Sequence, residues 1–188
     1  MRVSREQVAE NRGRILKEAG RLFRERGFEA VTVAEVMKAA GLTHGGFYGY
    51  FQSKDELIAD TLAELVVAPA PEPASIERYA DRYLTLDHVA DCAGGCPVAA
   101  LATETGRQTP QARAAMTEGL RRQIERLGQG IAGEDRDAAR QAAIGSWAAM
   151  VGAVVLARMC DDQALSSEVL EQTRAFIGRR VGTVHGAT

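Results

Sequence analysis

Ile15, Leu16, Ala19, Leu22 and Phe23 recur at the i, i+1, i+4, i+7, i+8 spacing that lines one stripe of an α-helix. The same period of 3.6 residues returns along the whole chain, and no run of β-branched residues with period 2 is bounded by turns. A chain patterned this way has to bury helix against helix, so the expected fold is all-α, with about nine helices. Gly27 supplies the first stop, giving a helix over about 4–26. Thr32 caps a second, short helix, and Glu35, three residues on, reaches back to form a capping box. Val33, Val36, Met37 and Ala40 form its inner face, and Gly41 ends it. Thr43 is placed to cap a third short helix, anchored one turn apart by Phe47 and Phe51. A second capping box, Ser53 with Glu56, opens a fourth helix through Leu57, Ile58, Leu62, Leu65 and Val66.

The proline-rich stretch APAPEPAS, residues 68–75, cannot continue that helix and marks a boundary or a sharp connection. Beyond it the periodicity predicts helices at about 75–90, 97–107, 110–131, 135–159 and 166–181, with Pro97 and Pro110 suited to first helical positions. The reading is an N-terminal three-helix domain over 1–54 and a second helical domain over 55–188, with the fourth helix as connector.

With 188 residues, 46% hydrophobic and 26% charged, the chain can bury a sizeable core. Charge is unevenly spread: residues 1–54 carry ten Lys/Arg against six Asp/Glu, net +4, and the remainder carries 13 against 19, net −6. A basic end on an acidic body suits a first domain that meets a polyanion. No unbroken apolar run reaches the length needed to span a bilayer, and the opening stretch has no apolar signal-peptide core, so no membrane partner is expected and the location is read as cytoplasmic. Three cysteines, of which only Cys92 and Cys96 lie close in sequence, do not make a disulfide framework.

Two short helices joined by AGL, the second opened by a hydroxyl residue and the first buttressed by a longer helix, have the sequence form of a helix-turn-helix. An ordinary three-helix core has the same spacing. Residue chemistry favours the first: the second helix carries Thr43, His44, Tyr48 and Tyr50, able to meet phosphates or base edges, and no acidic residue occurs between Lys38 and Asp55. Lys54 stands at a helix N-terminus, where backbone N–H groups and the dipole attract an anion, and Thr32 at the cap of the second helix is a further phosphate contact.

The stretch VTVAEVMKAAGLTHGGFYGYFQSKDELI, residues 31–58, resembles the DNA-binding domain of the tetracycline-repressor (TetR) family of bacterial transcription regulators in its turn, its aromatic pair followed by Phe, and its Ser-Lys-acidic-acidic-Leu helix entry. The resemblance covers roughly the first 60 residues. It implies a dimer of all-α subunits that binds a palindromic double-stranded DNA operator, most often as a repressor, with a divergent C-terminal domain that binds a small-molecule inducer. It also places Thr43, His44 and Gly45 at the start of the recognition helix, Tyr48 and Tyr50 against phosphates, and Lys54 as the phosphate-binding lysine. This chain departs from the family pattern at Tyr50, usually His, and at Gly49, usually larger.

Three glycines in THGGFYGYF weaken a helix by about 1 kcal/mol each relative to alanine. Close approach of the backbone to DNA accounts for Gly45 and in part for Gly46, not for Gly49. In the second domain the last two helices are expected to form the homodimer interface, and Tyr79, Tyr83, Met116, Trp147 and Met150 are candidate ligand-pocket residues with aromatic walls and polar tips. His88, Cys92 and Cys96 fall at i, i+4, i+8, but Gly94, Gly95 and Pro97 break the helix that would align them, so no metal or other cofactor is expected. Cys96 precedes the helix begun at Pro97, a position that favours thiolate, and with Cys92 it forms a redox or electrophile sensor or a pair that only packs. Similar glycine-cysteine segments occur in family members that sense electrophiles or oxidants. No constellation of an enzyme is present: no phosphate loop after a strand, nucleophile elbow or metal-ligand cluster. The rival reading is a helical protein-interaction module without DNA binding, which leaves the basic N-terminal segment unexplained.

Overall fold

The computed structural model describes residues 4–67, 75–131 and 135–184. Within them the chain is helical throughout, with no strand. The helices are α1 (Arg5–Ala30), α2 (Val33–Ala39), a 3-10 segment (His44–Gly49), α3 (Lys54–Val67), α4 (Ile76–Tyr83), α5 (Leu86–Ala90), α6 (Pro97–Thr105), α7 (Pro110–Gln129), α8 (Arg136–Met159) and α9 (Gln163–Val184). The proline-rich stretch before Ser75 lies outside the described residues.

Most of these ends follow from local chemistry. Ser4 caps α1 by accepting from the Gln7 N–H, Thr32 caps α2 within a complete capping box, and Pro97 and Pro110 open α6 and α7. Gly27 breaks α1 as anticipated, at φ 81° and ψ 170°, but the chain makes a further helical turn to Ala30. The single helix expected over 75–90 is two. Leu84 leaves helical geometry at φ −91°, ψ 66°, and Thr85 starts α5 by accepting the His88 N–H at 3.1 Å. Arg174 donates to the Leu84 carbonyl oxygen that the break exposes.

The chain divides into two compact units, Met1–Ala68 with Cys96–Gly119, and Pro69–Gly95 with Leu120–Thr188. The first is therefore larger than the three helices expected over 1–54, because α3 and α6 pack with α1 and the start of α7 adds Ala112 and Met116 to the same core. Its core holds Ile15, Leu16, Ala19, Phe23, Val36, Met37, Leu57, Leu62 and Leu101, with Phe28 against Phe23 edge to face at 5.3 Å. The second unit packs α4 and α5 with α8 and α9 around Ile76, Leu84, Met150, Val154 and Leu170. By length and mean hydropathy, 1.6 over an 18-residue window, α8 would suffice to cross a bilayer, although no unbroken apolar run marks it in the sequence. Ala143, Trp147, Met150, Ala153, Val154 and Ala157 of this helix are buried in the protein, while Ile144, Val155, Leu156 and Met159 on its other side are exposed.

Candidate functional site

The surface that meets DNA in the sequence-based reading starts at the mouth of α2. The Thr32 hydroxyl accepts the Glu35 N–H at 3.2 Å and donates to the Glu35 carboxylate at 2.7 Å, and the Thr32 N–H reaches the same carboxylate at 2.8 Å. Arg26 donates to its other oxygen at 2.9 Å. The backbone hydrogen bond from Thr32, then its hydroxyl, then Arg26 lower the Glu35 pKa from 4.5 to about 2. The folded value lies below the unfolded one, so the contribution of this carboxylate to stability is present above pH 4.5 and is lost as pH falls toward 2. Both donors of Thr32 are thus committed to Glu35. A phosphate would have to displace a carboxylate from them, so Thr32 holds the start of α2 in place and is badly placed as a phosphate contact.

After α2 the chain reverses at Gly41, φ 70°, where the Leu42 N–H returns to the Met37 carbonyl at 2.9 Å. The segment that follows is a 3-10 helix, not the α-helix expected, and the Thr43 side chain makes no capping hydrogen bond; its carbonyl accepts the Gly46 N–H at 3.0 Å. Phe47 and Phe51, each 2% exposed and stacked at 5.7 Å, root the segment in the core. That fixes what remains outside: Thr43, His44, Gly45, Tyr48 and Gly49 are exposed, with Tyr48 at 75%. A Cβ added at Gly45 would meet nothing within 4 Å, so the protein itself leaves that space open. The same holds at Gly49, for which intramolecular packing supplies no reason to be glycine.

Tyr50 is half-buried, and its hydroxyl accepts from Asn11 Nδ2 at 2.9 Å. The Asn11 Oδ1 accepts from Arg14 at 2.7 Å and from Gln7 at 3.3 Å, which fixes the orientation of the amide. Because Asn11 is the donor, the Tyr50 hydroxyl keeps its own proton for an outside acceptor, as a phosphate contact requires. Asn11, 7% exposed, escaped the sequence-based reading. Its signal was present: it lies four residues before Ile15, a polar side chain on the apolar stripe. Lys54 is the first residue of α3 and makes no ion pair among the described residues. Next to it Ser53 accepts the Glu56 N–H at 3.1 Å, but the Glu56 carboxylate turns to the Gln52 N–H, one residue earlier than a capping box would have it.

The second unit gathers Tyr79, Tyr83 and Trp147, with Tyr79 stacked on Tyr83 at 5.9 Å and Trp147 edge-on to them at 6.1 and 5.3 Å. Met150 is fully buried in the same unit. Met116 is not with them: it packs in the core of the first unit, because α7 begins there. His88 lies edge-on to Tyr83 at 4.3 Å, with Nδ1 at 2.6 Å from the Tyr83 carbonyl. Arg158 from α8 donates to the carbonyls of Val89 at 3.1 Å and His88 at 3.0 Å, closing the end of α5. The glycine pair before Cys96 has a steric cause, since a Cβ at Gly94 or Gly95 would come within 2.5 or 2.4 Å of Asp91. Cys92 and Cys96 are half-buried and outside any disulfide, and Cys96 stands in extended conformation ahead of Pro97 without capping α6 through its side chain.

Residues 15–61 match the family described as bacterial regulatory proteins, tetR family, and residues 74–172 match the C-terminal domain of LmrA/YxaF-like transcriptional regulators. The HTH-type transcriptional repressor KstR2 of Mycobacterium tuberculosis is 39% identical over 56 residues, 30% of this chain and 28% of that repressor. The chain thus spans under a third of the length of the curated relative it matches. A TetR transcriptional regulator from Chloroflexus aurantiacus superposes with TM-score 0.71 and 26% identity, covering 94% of this chain and 96% of that one. The reduced form of NemR from E. coli superposes with TM-score 0.69 and 24% identity over 90% and 96% of the two chains. The N-terminal match covers the turn, the 3-10 segment and the entry to α3, and the C-terminal match alone takes in more than half of the sequence. On both halves, then, the chain belongs to the TetR family of bacterial transcriptional regulators.

Proposed function

We propose that this protein is a ligand-responsive transcriptional repressor that binds a palindromic operator as a homodimer and is released by a small molecule. The observation that carries the DNA-binding part is the 3-10 segment: exposed His44, Gly45 and Tyr48 on one side, buried Phe47 and Phe51 on the other, and no acidic side chain between Lys38 and Asp55. His44 is assigned to base edges, Tyr48, Tyr50 and Lys54 to phosphates. The dimer is assigned to α8 and α9, which leave Ile144, Val155, Met159 and Leu165 exposed at 43%, 42%, 73% and 46%. Tyr79, Tyr83 and Trp147 are assigned to the inducer.

Gel-shift titration with DNA from the upstream region, on protein whose dimeric state is checked by light scattering, tests the reading. Affinity is expected to fall steeply with salt as counterions are released. In Lys54→Ala the slope of log K against log salt should become shallower by about 2 per dimer, since each neutralised phosphate contributes about 0.9. His44→Ala should change sequence preference instead of weakening all sites alike. Salt-insensitive or absent binding by a folded dimer would reject operator binding, and a monomer would reject the assigned interface.

Gly45 separates stability from function. With no positive φ and open space at its Cβ position, Gly45→Ala should raise stability by about 0.5–1 kcal/mol and weaken operator affinity. If both improve, close approach to DNA is the wrong reason for glycine here.

A second release mechanism, thiol modification at Cys96, is supported by the place of that residue directly ahead of α6. Peroxide or an electrophile is expected to release operator DNA from the native protein and not from Cys96→Ser. An equal response in the variant eliminates it.

A further inference from the structure

The aromatic core of the second unit contains three buried nitrogens that make no hydrogen bond among the described residues: Trp147 Nε1, Gln123 Nε2 and Arg126 Nε. They are contiguous with the rings. Trp147 is 6% exposed and lies edge-on to Tyr79 and Tyr83. The Arg126 guanidinium sits 5.9 Å from the Tyr79 ring centroid and donates to Gln123 Oε1, which leaves the Gln123 amide nitrogen turned away from that bond. All three are donor atoms, and an indole or guanidinium nitrogen has no acceptor capacity at all. Arg126 also makes no ion pair among the described residues, so its charge is balanced by no carboxylate there. Burying donors in this state is unfavourable until an acceptor arrives.

We propose that Tyr79, Tyr83 and Trp147 with Gln123 and Arg126 form a site for a planar aromatic ligand that carries an anionic oxygen, a carboxylate or phenolate. The rings of Tyr79, Tyr83 and Trp147 receive the flat body of the ligand; the indole N–H, the amide and the guanidinium receive its oxygen. Tyr79, Gln123 and Arg126 are half-buried, so one side of the cluster is open to solvent. A cationic ligand would meet the like charge of Arg126 and could not satisfy these three donors. The proposal rests on the reading of this core as the inducer site, and it adds the chemistry of the inducer.

Trp147 is the only tryptophan in the chain, so its emission reports on this site alone. The full-length protein is titrated with trans-cinnamate, with uncharged trans-β-methylstyrene and with cationic cinnamylamine. Cinnamate is expected to change the emission saturably and to bind at least tenfold tighter than β-methylstyrene, with cinnamylamine the weakest. In the double variant Gln123→Leu, Arg126→Met the cinnamate advantage should shrink to within about twofold, while β-methylstyrene binds as before, which also shows that the variant is folded. If β-methylstyrene binds the native protein as well as cinnamate, or if the advantage survives in the double variant, the assigned ligand class is wrong and the aromatic inducer site stands. If none of the three compounds alters Trp147 emission, the inducer site falls with it.

Discussion

Gly27→Ala is expected to lower the unfolding free energy by about 3 kcal/mol, from backbone strain of about 1–3 kcal/mol and a buried N–H left unsatisfied at a similar cost. At φ 81° and ψ 170° the backbone of Gly27 lies in a region that only glycine occupies comfortably. The added Cβ would also stand 2.4 Å from Glu104 Oε1. That carboxylate cannot simply swing away, because its other oxygen accepts the Phe28 N–H at 2.8 Å and Phe28 is fully buried. Equilibrium urea unfolding measures the loss. A double-mutant cycle with Glu104→Ala apportions it: strain stays in Gly27→Ala whatever stands at 104, while the clash disappears with the carboxylate, so the double variant should lose less than the sum of the two single losses. A change under about 1 kcal/mol in Gly27→Ala would mean that α1 can straighten through this point, against the strain argument.

Phe47→Ala should destabilise the protein by about 3–5 kcal/mol, the range for removing a buried aromatic side chain. The ring is 2% exposed, stacked on Phe51 at 5.7 Å and edge-on to Tyr48 at 5.4 Å. Because a 3-10 segment of six residues has little stability of its own, its position depends on these two phenylalanines. Operator affinity should therefore fall at temperatures where circular dichroism still shows a helical protein. His44→Ala, whose side chain is exposed, should leave the unfolding free energy within about 0.5 kcal/mol of native while changing operator preference. Phe47→Ala that binds operator as well as native protein would break the link between this core contact and the proposed operator surface.

The aromatic core of the second unit was legible only in part. Tyr79, Tyr83 and Trp147 do meet, as their amphipathic character suggested, but Gln123 and Arg126 give no sign in the sequence of standing beside them. A glutamine and an arginine on an amphipathic helix read as solvated, and only the folded structure, with Arg126 over the Tyr79 ring, shows their nitrogens buried. The place of Met116 was equally hidden. The unit boundary after Gly119 falls inside the continuous helix α7, so Met116 goes to one core and Gln123 and Arg126 to the other with no local signal between them.

What the sequence determined alone is whatever rests on neighbours within a turn or two. The all-α fold, the Thr32–Glu35 capping box, the break at Gly27, the reversal at Gly41 and the starts at Pro97 and Pro110 follow from periodicity, capping and allowed backbone angles. What tertiary structure decided is whatever depends on a partner far along the chain. Asn11 meets Tyr50 across 39 residues and leaves the tyrosine proton available; Glu104 meets Phe28 across 76 and adds a steric clash to the backbone strain that any side chain at Gly27 would bring. The 3-10 form of the segment His44–Gly49 belongs here too, because the seating of Phe47 and Phe51 in a core built from other helices outweighs the weak preference of a glycine-rich hexapeptide.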